Sequence, residues 1–380
     1  ICSVLNRDMD EAPPEIIELT GSPEQIEQRI ESVPDTPAVF AIWAREGTPY
    51  LGRTNVLRRR LRRLLTPRSG TSRMLNLRVL AARVEFWLTG SRLESAVLNY
   101  ELARRHFPVQ TRKVPALAYL KVLLANRFPR CQITSKTSSG SAMYFGPFRT
   151  RVLAEQFQEQ FLNLFQLRRC TEDLSPLPSH PGCIYGEMGK CLRPCQQVVG
   201  EEEYRSEVER VTAFLASGGQ SMLQRIAGIR DRLSEQLDFE QAAYQHSRYE
   251  KVQAVLALRD DLASDVRRIH GVCVTPSAVD NAVELWFVVE GCFHSRSRFE
   301  VGASSSAMVP LDARLRQVLA ALAPSKYLPR QRDENLALLS RWYHASDRDG
   351  EWLPFEDLGQ IPYRKLVNAI HRVSARGRSY

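Results

Sequence analysis

Tyr50-Leu51-Gly52-Arg53-Thr54-Asn55-Val56-Leu57-Arg58-Arg59-Arg60-Leu61-Arg62-Arg63-Leu64-Leu65 changes its period partway along, and it holds six arginines and no acid. Its start completes a hairpin. Val39-Phe40-Ala41-Ile42-Trp43 reads as a buried strand, Arg45-Glu46-Gly47-Thr48 supplies turn residues, and Pro49-Tyr50-Leu51 returns as a second strand. From Leu57 onward the spacing is helical. At about 100° per residue, Leu57, Leu61, Leu64 and Leu65 share one stripe that would face a core. Arg58, Arg59, Arg62 and Arg63 fall on the opposite side, where a solvated or phosphate-facing surface is expected. Arg60 is set apart, about 60° from Leu57 at one edge of the apolar band. Two readings are open for it: a stem lying on the core with its head in water, or a guanidinium poised over a phosphodiester.

Working outward, Val84 to Leu88 is a third strand candidate, and a helix from Ser91 to about Phe107 ends before Pro108. Strand, strand, helix, strand, helix makes a small α/β unit over residues 34–112. Residues 1–33 read as an acidic helical lead-in with Pro13-Pro14 as a breaker. A connecting α/β segment covers 113–166, with Tyr144 to Phe148 and a helix from about Arg151 to Phe165. A Pro/Gly-rich segment follows at 167–200. Residues 201–265 read as a helical hairpin broken near Gly218-Gly219. The tail, 266–380, carries a strand at Ala282 to Val289 and helices near 312–323, 333–344 and 363–373, so the class expected is α+β.

The chain has 380 residues, 43% hydrophobic and 25% charged, with a formal charge of +9. This excess of base points to a polyanionic partner, DNA or RNA. No apolar run is long enough to cross a bilayer and the first residues lack a signal pattern, so no membrane association and a cytoplasmic setting are expected. A chain that opens on Ile1 reads as having lost its start. Of eight cysteines, Cys2, Cys131, Cys273 and Cys292 are scattered and read as core thiols. Cys170, Cys183, Cys191 and Cys195 follow the pattern C-x₁₂-C-x₇-C-x₃-C, which suits a soft metal centre, an iron–sulfur cluster or zinc.

Thr36 to Phe40, Tyr50-Leu51-Gly52 and Leu57 to Leu61 resemble the GIY-YIG nuclease domain of the UvrC/Cho excinuclease family. The likeness continues in order through Glu94 to Asn99, Arg104 to Pro108, Tyr144 to Phe148, Phe165 to Cys170, Cys191 to Cys195, Glu202 to Tyr204 and Phe239 to Ala243. It covers roughly Val33 to Val255. The tail after about Arg268 resembles no part of that family, and its ribonuclease-H-like second nuclease is not expected. The resemblance implies that Arg60 is the catalytic arginine, that Tyr50 accepts or orients a proton, and that Arg53, Arg58, Arg59, Arg62 and Arg63 hold nucleic acid. It implies a [4Fe-4S] cluster on Cys170, Cys183, Cys191 and Cys195, with zinc as second choice. Leu237 to Ala243 resembles the motif that contacts UvrB, though His246 and Ser247 stand where an Arg-Asp pair is usual.

The same alignment implies a degraded nuclease. Asn99 occupies the position of the metal-binding glutamate, and a neutral carbonyl is a poor ligand for a hard cation. Phe40 replaces a tyrosine, Arg53 a lysine, Leu64 a tyrosine and Thr111 an asparagine. Glu94 and Glu101 are rotated off the site, and Glu85 could serve only if the register shifts. The expectation is a DNA-binding protein of damage recognition or nucleotide excision repair with a lost catalytic site. The alternative is an active Mg²⁺- or Mn²⁺-dependent GIY-YIG endonuclease making one incision.

Overall fold

A computed structural model describes residues 13–66, 76–108, 114–301, 311–320, 327–356 and 360–376. Thr111 and Cys2 lie outside the described residues. The chain is α+β, with three four-stranded sheets whose neighbouring strands all pair antiparallel.

The first unit comprises β1 (Glu15–Glu18), α1 (Pro23–Glu31), β2 (Ala38–Ala44), β3 (Tyr50–Thr54), α2 (Leu57–Leu65), β4 (Ala81–Leu88) and α3 (Arg92–His106). Its sheet order is β1-β4-β2-β3, so β3 is an edge strand. The lead-in is therefore not purely helical: β1 pairs with β4 through Ile17 and Val84. The helix that does form there, α1, has a full capping box, with Ser22 and Gln25 each accepting from the other's backbone N–H. One sheet face, with Phe40, Ile42, Val84 and Phe86, packs on Leu57, Leu61, Leu64 and Leu65 of α2. The other, with Val39, Ala41, Leu51 and Trp87, packs on Leu98, Leu102 and Ala103 of α3.

The second unit holds β5 (Ala118–Val122), β6 (Cys131–Thr134), β7 (Met143–Phe148) and α4 (Arg151–Leu162). A cysteine-bearing loop with the short α5 (Ile184–Glu187) follows, then α6 (Glu201–Ala216), α7 (Gln220–Glu235), α8 (Phe239–Ala257) and β8 (Ser264–Asp265). The expected hairpin is three helices. Gly218 and Gly219, both at positive φ, separate α6 from α7, and a second reversal places Leu237 at φ 59° before α8. Asp238 caps α8 through the Gln241 N–H. One core joins this sheet to the helices through Phe145, Phe157, Phe161, Phe165, Phe214 and Val252.

The third unit has β9 (Gly271–Pro276), β10 (Ala282–Val289), β11 (Cys292–Glu300), α9 (Leu311–Ala320), α10 (Pro329–Tyr343), β12 (Glu351–Pro354) and α11 (Tyr363–Arg376), with sheet order β11-β10-β9-β12. One face of its sheet is covered by α11. The other face contributes Cys273, Trp286 and Val288 to a core that also takes Leu93, Val97 and Tyr100 from α3. Helix α3 is thus buried on two sides by two different sheets.

Polar contacts fasten the same junction. Arg296 pairs with Glu94 and, at 2.9 Å, with Glu284, which also accepts from Arg298 at 2.7 Å and Ser277 at 2.7 Å. Burial raises the Glu94 carboxyl, with Arg296 opposing it. Burial works the same way on Glu284, but the bonds and charge of Arg296 and the bonds from Arg298 and Ser277 leave it lowered. Gly90 lies so close to β9's end that a Cβ there would meet the Ser277 carbonyl carbon at 2.0 Å. Asp260, 2% exposed in its side chain, ties the second unit to the third: Arg149 N–H donates to it at 3.0 Å, and His344 Nε2 stands 3.0 Å from its other oxygen. Burial acts to raise the Asp260 carboxyl, and the His344 and Arg149 contacts more than offset it, bringing it down to about 2.

A lowered carboxyl stabilises the fold above its unfolded value and loses that contribution as pH falls. Asp260→Asn is therefore expected to cost about 2 kcal/mol at neutral pH, with the difference from wild type vanishing as pH falls from about 4 to about 2. Urea denaturation across that range measures it, and a pH-independent difference would refute the assignment.

Candidate functional site

Strand β3 begins at Tyr50, which stands opposite Ile42 on the sheet face that meets α2. Arg60, one turn into α2, directs Nη2 to within 3.4 Å of Tyr50 Oη. The guanidinium is half-buried and pairs with no carboxylate among the described residues. Gly52 faces Phe40 across the strands, and a Cβ on Gly52 would meet the Phe40 ring at 2.5 Å. Glycine is required there because the fully buried Phe40 ring lies over the backbone, with its centroid 6.3 Å from that of Tyr50. Phe40 thus packs the floor and offers no hydroxyl. Leu64, 2% exposed, belongs to the same core.

Three other arginines of α2 are fastened to the lead-in and the residues just after it. Arg58 Nε donates to the Val33 carbonyl at 2.7 Å, Arg59 pairs with Asp35 at 2.7 Å, and Arg62 pairs with Glu31. Arg59 keeps 71% of its side chain exposed and Arg62 48%, and pairs so exposed are weak enough to be exchanged for phosphate. Arg63 is exposed too. Arg53 shares the parity of Leu51 and so leaves β3 on the α3 face.

Asn99 lies one turn beyond Ser95 and Ala96 on α3, and its Oδ1 is buried without a hydrogen-bond partner. Among the described residues no hydrogen bond joins it to Tyr50 or Arg60. Two carboxylates weighed as replacements, Glu94 and Glu85, are engaged elsewhere. Glu94 is locked against Arg296 and accepts from the Gly90 N–H at 2.7 Å. Glu85 pairs with Arg83 at 2.9 Å. Its register opposite Ala41 sets it on the α3 side of the sheet, away from Tyr50 and two strands in from β3. Neither Glu94 nor Glu85 forms a hydrogen bond or ion pair with Tyr50 or Arg60.

The cysteine loop is built largely from backbone contacts. Leu177 N–H donates to the Cys195 carbonyl at 3.0 Å, Leu192 N–H to Gln166 at 3.0 Å, and Gln196 Nε2 to His180 at 3.1 Å. Arg193 and Gln197 take left-handed φ of 54° and 56° on either side of Pro194 to Gln196, turning Cys195 back toward Cys191. Burial pushes the Cys191 thiol up to about 11 and raises Cys195, with the neighbouring thiols, Cys170 and Cys183 included, adding to both shifts. Yet among the described residues no group of three or more His, Cys, Asp or Glu is set to hold a single metal ion.

Two donors point at sulfur: Arg193 N–H at 3.4 Å from Cys191 Sγ, and Arg168 Nη1 at 3.4 Å from Cys170 Sγ. Sequence reasoning missed Arg168. It is 2% exposed, bonded to the Phe128 and Glu172 carbonyls, and has no carboxylate partner among the described residues. Its Nη1 donates to the Cys170 sulfur, which brings a cation to the edge of the cysteine loop. Its position two residues before Cys170 was the only signal in the chain.

On the helical pair α7–α8, Leu237, Phe239 and Tyr244 are 72%, 66% and 60% exposed. His246 Nε2 lies 3.5 Å from Glu250 on the same helix, and Ser247 is exposed beside it. None of the described helices is long and apolar enough to cross a membrane.

Residues 117–214 match the family described as UvrC/Cho excinuclease, middle domain, which runs from β5 through the cysteine loop into α6. The chain is 24% identical over 285 residues to UvrABC system protein C of Lachnospira eligens, covering 73% of this chain and 46% of that relative. It thus spans about half the length of the curated relative it matches. A match of that share extends past Arg268 wherever it begins, so the likeness reaches further into the tail than the motifs alone indicate. No solved structure matches. The chain is UvrC-like.

Proposed function

We propose that this UvrC-like chain is a DNA-binding protein of nucleotide excision repair whose nuclease-fold unit holds a phosphodiester without cutting it. The observation that carries the reading is Arg60, a half-buried guanidinium oriented by Tyr50 and matched by no carboxylate among the described residues. The charge it lacks is one a phosphate supplies, with Arg59, Arg62 and Arg63 exposed on the same helix. Hydrolysis by a bound cation needs anionic oxygen at the reacting phosphate, and Asn99, Glu94 and Glu85 do not supply it there. The retained Tyr50–Arg60 contact favours a second reading, in which the unit still nicks DNA with Tyr50 as proton acceptor.

A nicking and binding assay on bubble or lesion-bearing DNA separates them. Wild type is expected to bind and leave the strand intact with Mg²⁺ or Mn²⁺, and Arg60→Ala to bind about tenfold more weakly. Steady turnover that Arg60→Ala abolishes would establish the nuclease instead. RNA of matched length, binding more tightly than DNA, would reassign the polyanion.

The four cysteines are assigned to a [4Fe-4S] cluster. Support comes from the four cysteines sharing one loop, with neighbouring thiols adding to the raised Cys191 and Cys195. Arg168 adds a cation beside a centre that is net negative, and the N–H groups of Arg168 and Arg193 would orient and tune its sulfurs. Held there, such a group would order a loop otherwise poor in apolar contacts. Anaerobically purified protein is expected to contain iron and sulfide and to show broad visible absorbance that Cys191→Ser removes. Zinc in their place, with no such absorbance, would overturn the assignment.

The exposed Leu237, Phe239 and Tyr244 are assigned to docking a UvrB-like protein, with His246 and Ser247 weakening the charge pairing expected of that contact. Purified UvrB should be retained by wild type and lost with Phe239→Ala. Equal retention by both would place the contact elsewhere.

A further inference from the structure

Helix α11 lays one side on the third unit's sheet and turns the other to solvent. Leu366, Ala369, Ile370 and Val373 are buried in the core it shares with β9 and β10. Arg364, Lys365, Asn368, His371 and Arg372 are exposed. At about 100° per residue these five fall within an arc of roughly 120°, opposite the buried stripe. From Tyr363 to Arg376 the helix carries four arginine or lysine side chains and no acid.

Only one end of this face is compensated. Arg372 pairs with Glu351 at 2.6 Å, and Arg376 reaches the same carboxylate at 4.0 Å. Hydrogen bonds from Arg372 hold that carboxyl below its usual range, so one full negative charge is shared by two cations. Arg364 and Lys365, at the other end, make no ion pair or hydrogen bond among the described residues. Nor do they serve the helix. Both lie in its first turn, where the macrodipole disfavours a cation. Charges set against the local field and matched by no acid favour an anion from outside.

The rest of the face narrows the choice of anion. No large apolar side chain of α11 is exposed. A helix that lies on a membrane needs such side chains to insert, and a protein interface needs apolar or aromatic anchors. A polar, cationic face suits a nucleic-acid backbone, which takes charge and amide donors. The face is also remote from Arg60 in the fold, because α11 and α3 cover opposite faces of the third unit's sheet.

We propose that the exposed face of α11 is a second nucleic-acid contact, through which the third unit holds DNA by its phosphates. Arg364, Lys365 and the Asn368 amide meet phosphate oxygens, so the contact does not depend on base sequence. The assignment rests on the DNA-binding reading above, and its residues share no element with Arg60.

Fluorescence anisotropy with duplex and bubble DNA of mixed sequence, over a salt series, reads the contact. The double variant Arg364→Glu, Lys365→Glu is expected to bind about tenfold more weakly, with the salt slope lowered by about two. Because these changes put acids into the first turn of a helix, its melting temperature should equal or exceed that of wild type. Weaker binding with a lower melting temperature would mark a structural role and overturn the contact. The same charge change on the exposed side of α7, Arg225→Glu with Arg232→Glu, should bind like wild type. An equal loss there would make the effect one of overall charge and remove the site. If the α11 variant binds like wild type while Arg60→Ala weakens, the α11 contact is absent and the DNA-binding reading survives. If only the α11 variant weakens, the contact stands and the reading of Arg60 falls. Failure of wild type to bind either DNA ends both. Adsorption to phosphatidylserine vesicles that the α11 variant loses, with its DNA binding unchanged, would reassign the face to an anionic membrane.

Discussion

Everything in the first unit depends on α3 being buried from two sides. Leu98, Leu102 and Ala103 pack on its own sheet, while Leu93, Val97 and Tyr100 pack into the core of the third unit. Each of the larger side chains contributes roughly 1.5–3 kcal/mol when removed from water, so α3 cannot rotate without vacating one core or the other. The Glu94–Arg296–Glu284 network then fixes its first turn. Such a buried network adds little net stability, but removing Arg296 would leave Glu94 buried without a cation, while Glu284 keeps Arg298, and cost about 3–5 kcal/mol. Asn99 is held in place by the same constraint.

This double burial also explains what the sequence does and does not disclose. The α2 helix was legible because one stripe of leucines faces one core and arginines face water, so its period stands out. The hairpin and Arg60's place at the edge of the apolar band were legible for the same reason. In α3 apolar residues occupy opposite faces, so the helix shows no single stripe, and its contact with the tail had no signature. Strand β1 is four residues with one buried side chain, too short to alternate visibly. The turn before α8 was hidden because Leu237, unlike Gly218 and Gly219, is not a residue that announces a left-handed backbone. The carboxylates excluded from the site on wheel positions, Glu94 and Glu101, are joined by Glu85, whose sheet face could be assigned only from register.

Two arginines organise the chemistry from opposite ends. Arg60 is half-buried and Arg168 fully buried, and each makes hydrogen bonds without a carboxylate partner among the described residues. Elsewhere the chain pairs its buried arginines with acids, as at Arg296 and Arg332. A protein that can match cations internally and does not do so at two positions leaves both fields directed at something it does not itself contain. For Arg168 the contact with Cys170 directs that field at the cysteine loop. For Arg60 the opening lies beside an edge strand, where a polymer can approach.

On the proposed reading, replacing a carboxylate by Asn99 changes binding as well as catalysis. A glutamate facing a phosphodiester repels it unless a cation lies between, so an active site of that kind grips its substrate only when metal is bound. An amide imposes no such requirement. The guanidinium of Arg60 then acts on the phosphate without an opposing carboxylate at the reacting group, and attraction survives removal of the metal. Loss of the acid therefore turns a metal-gated contact into a permanent one, which is the property an adaptor on DNA needs and a turning-over nuclease does not.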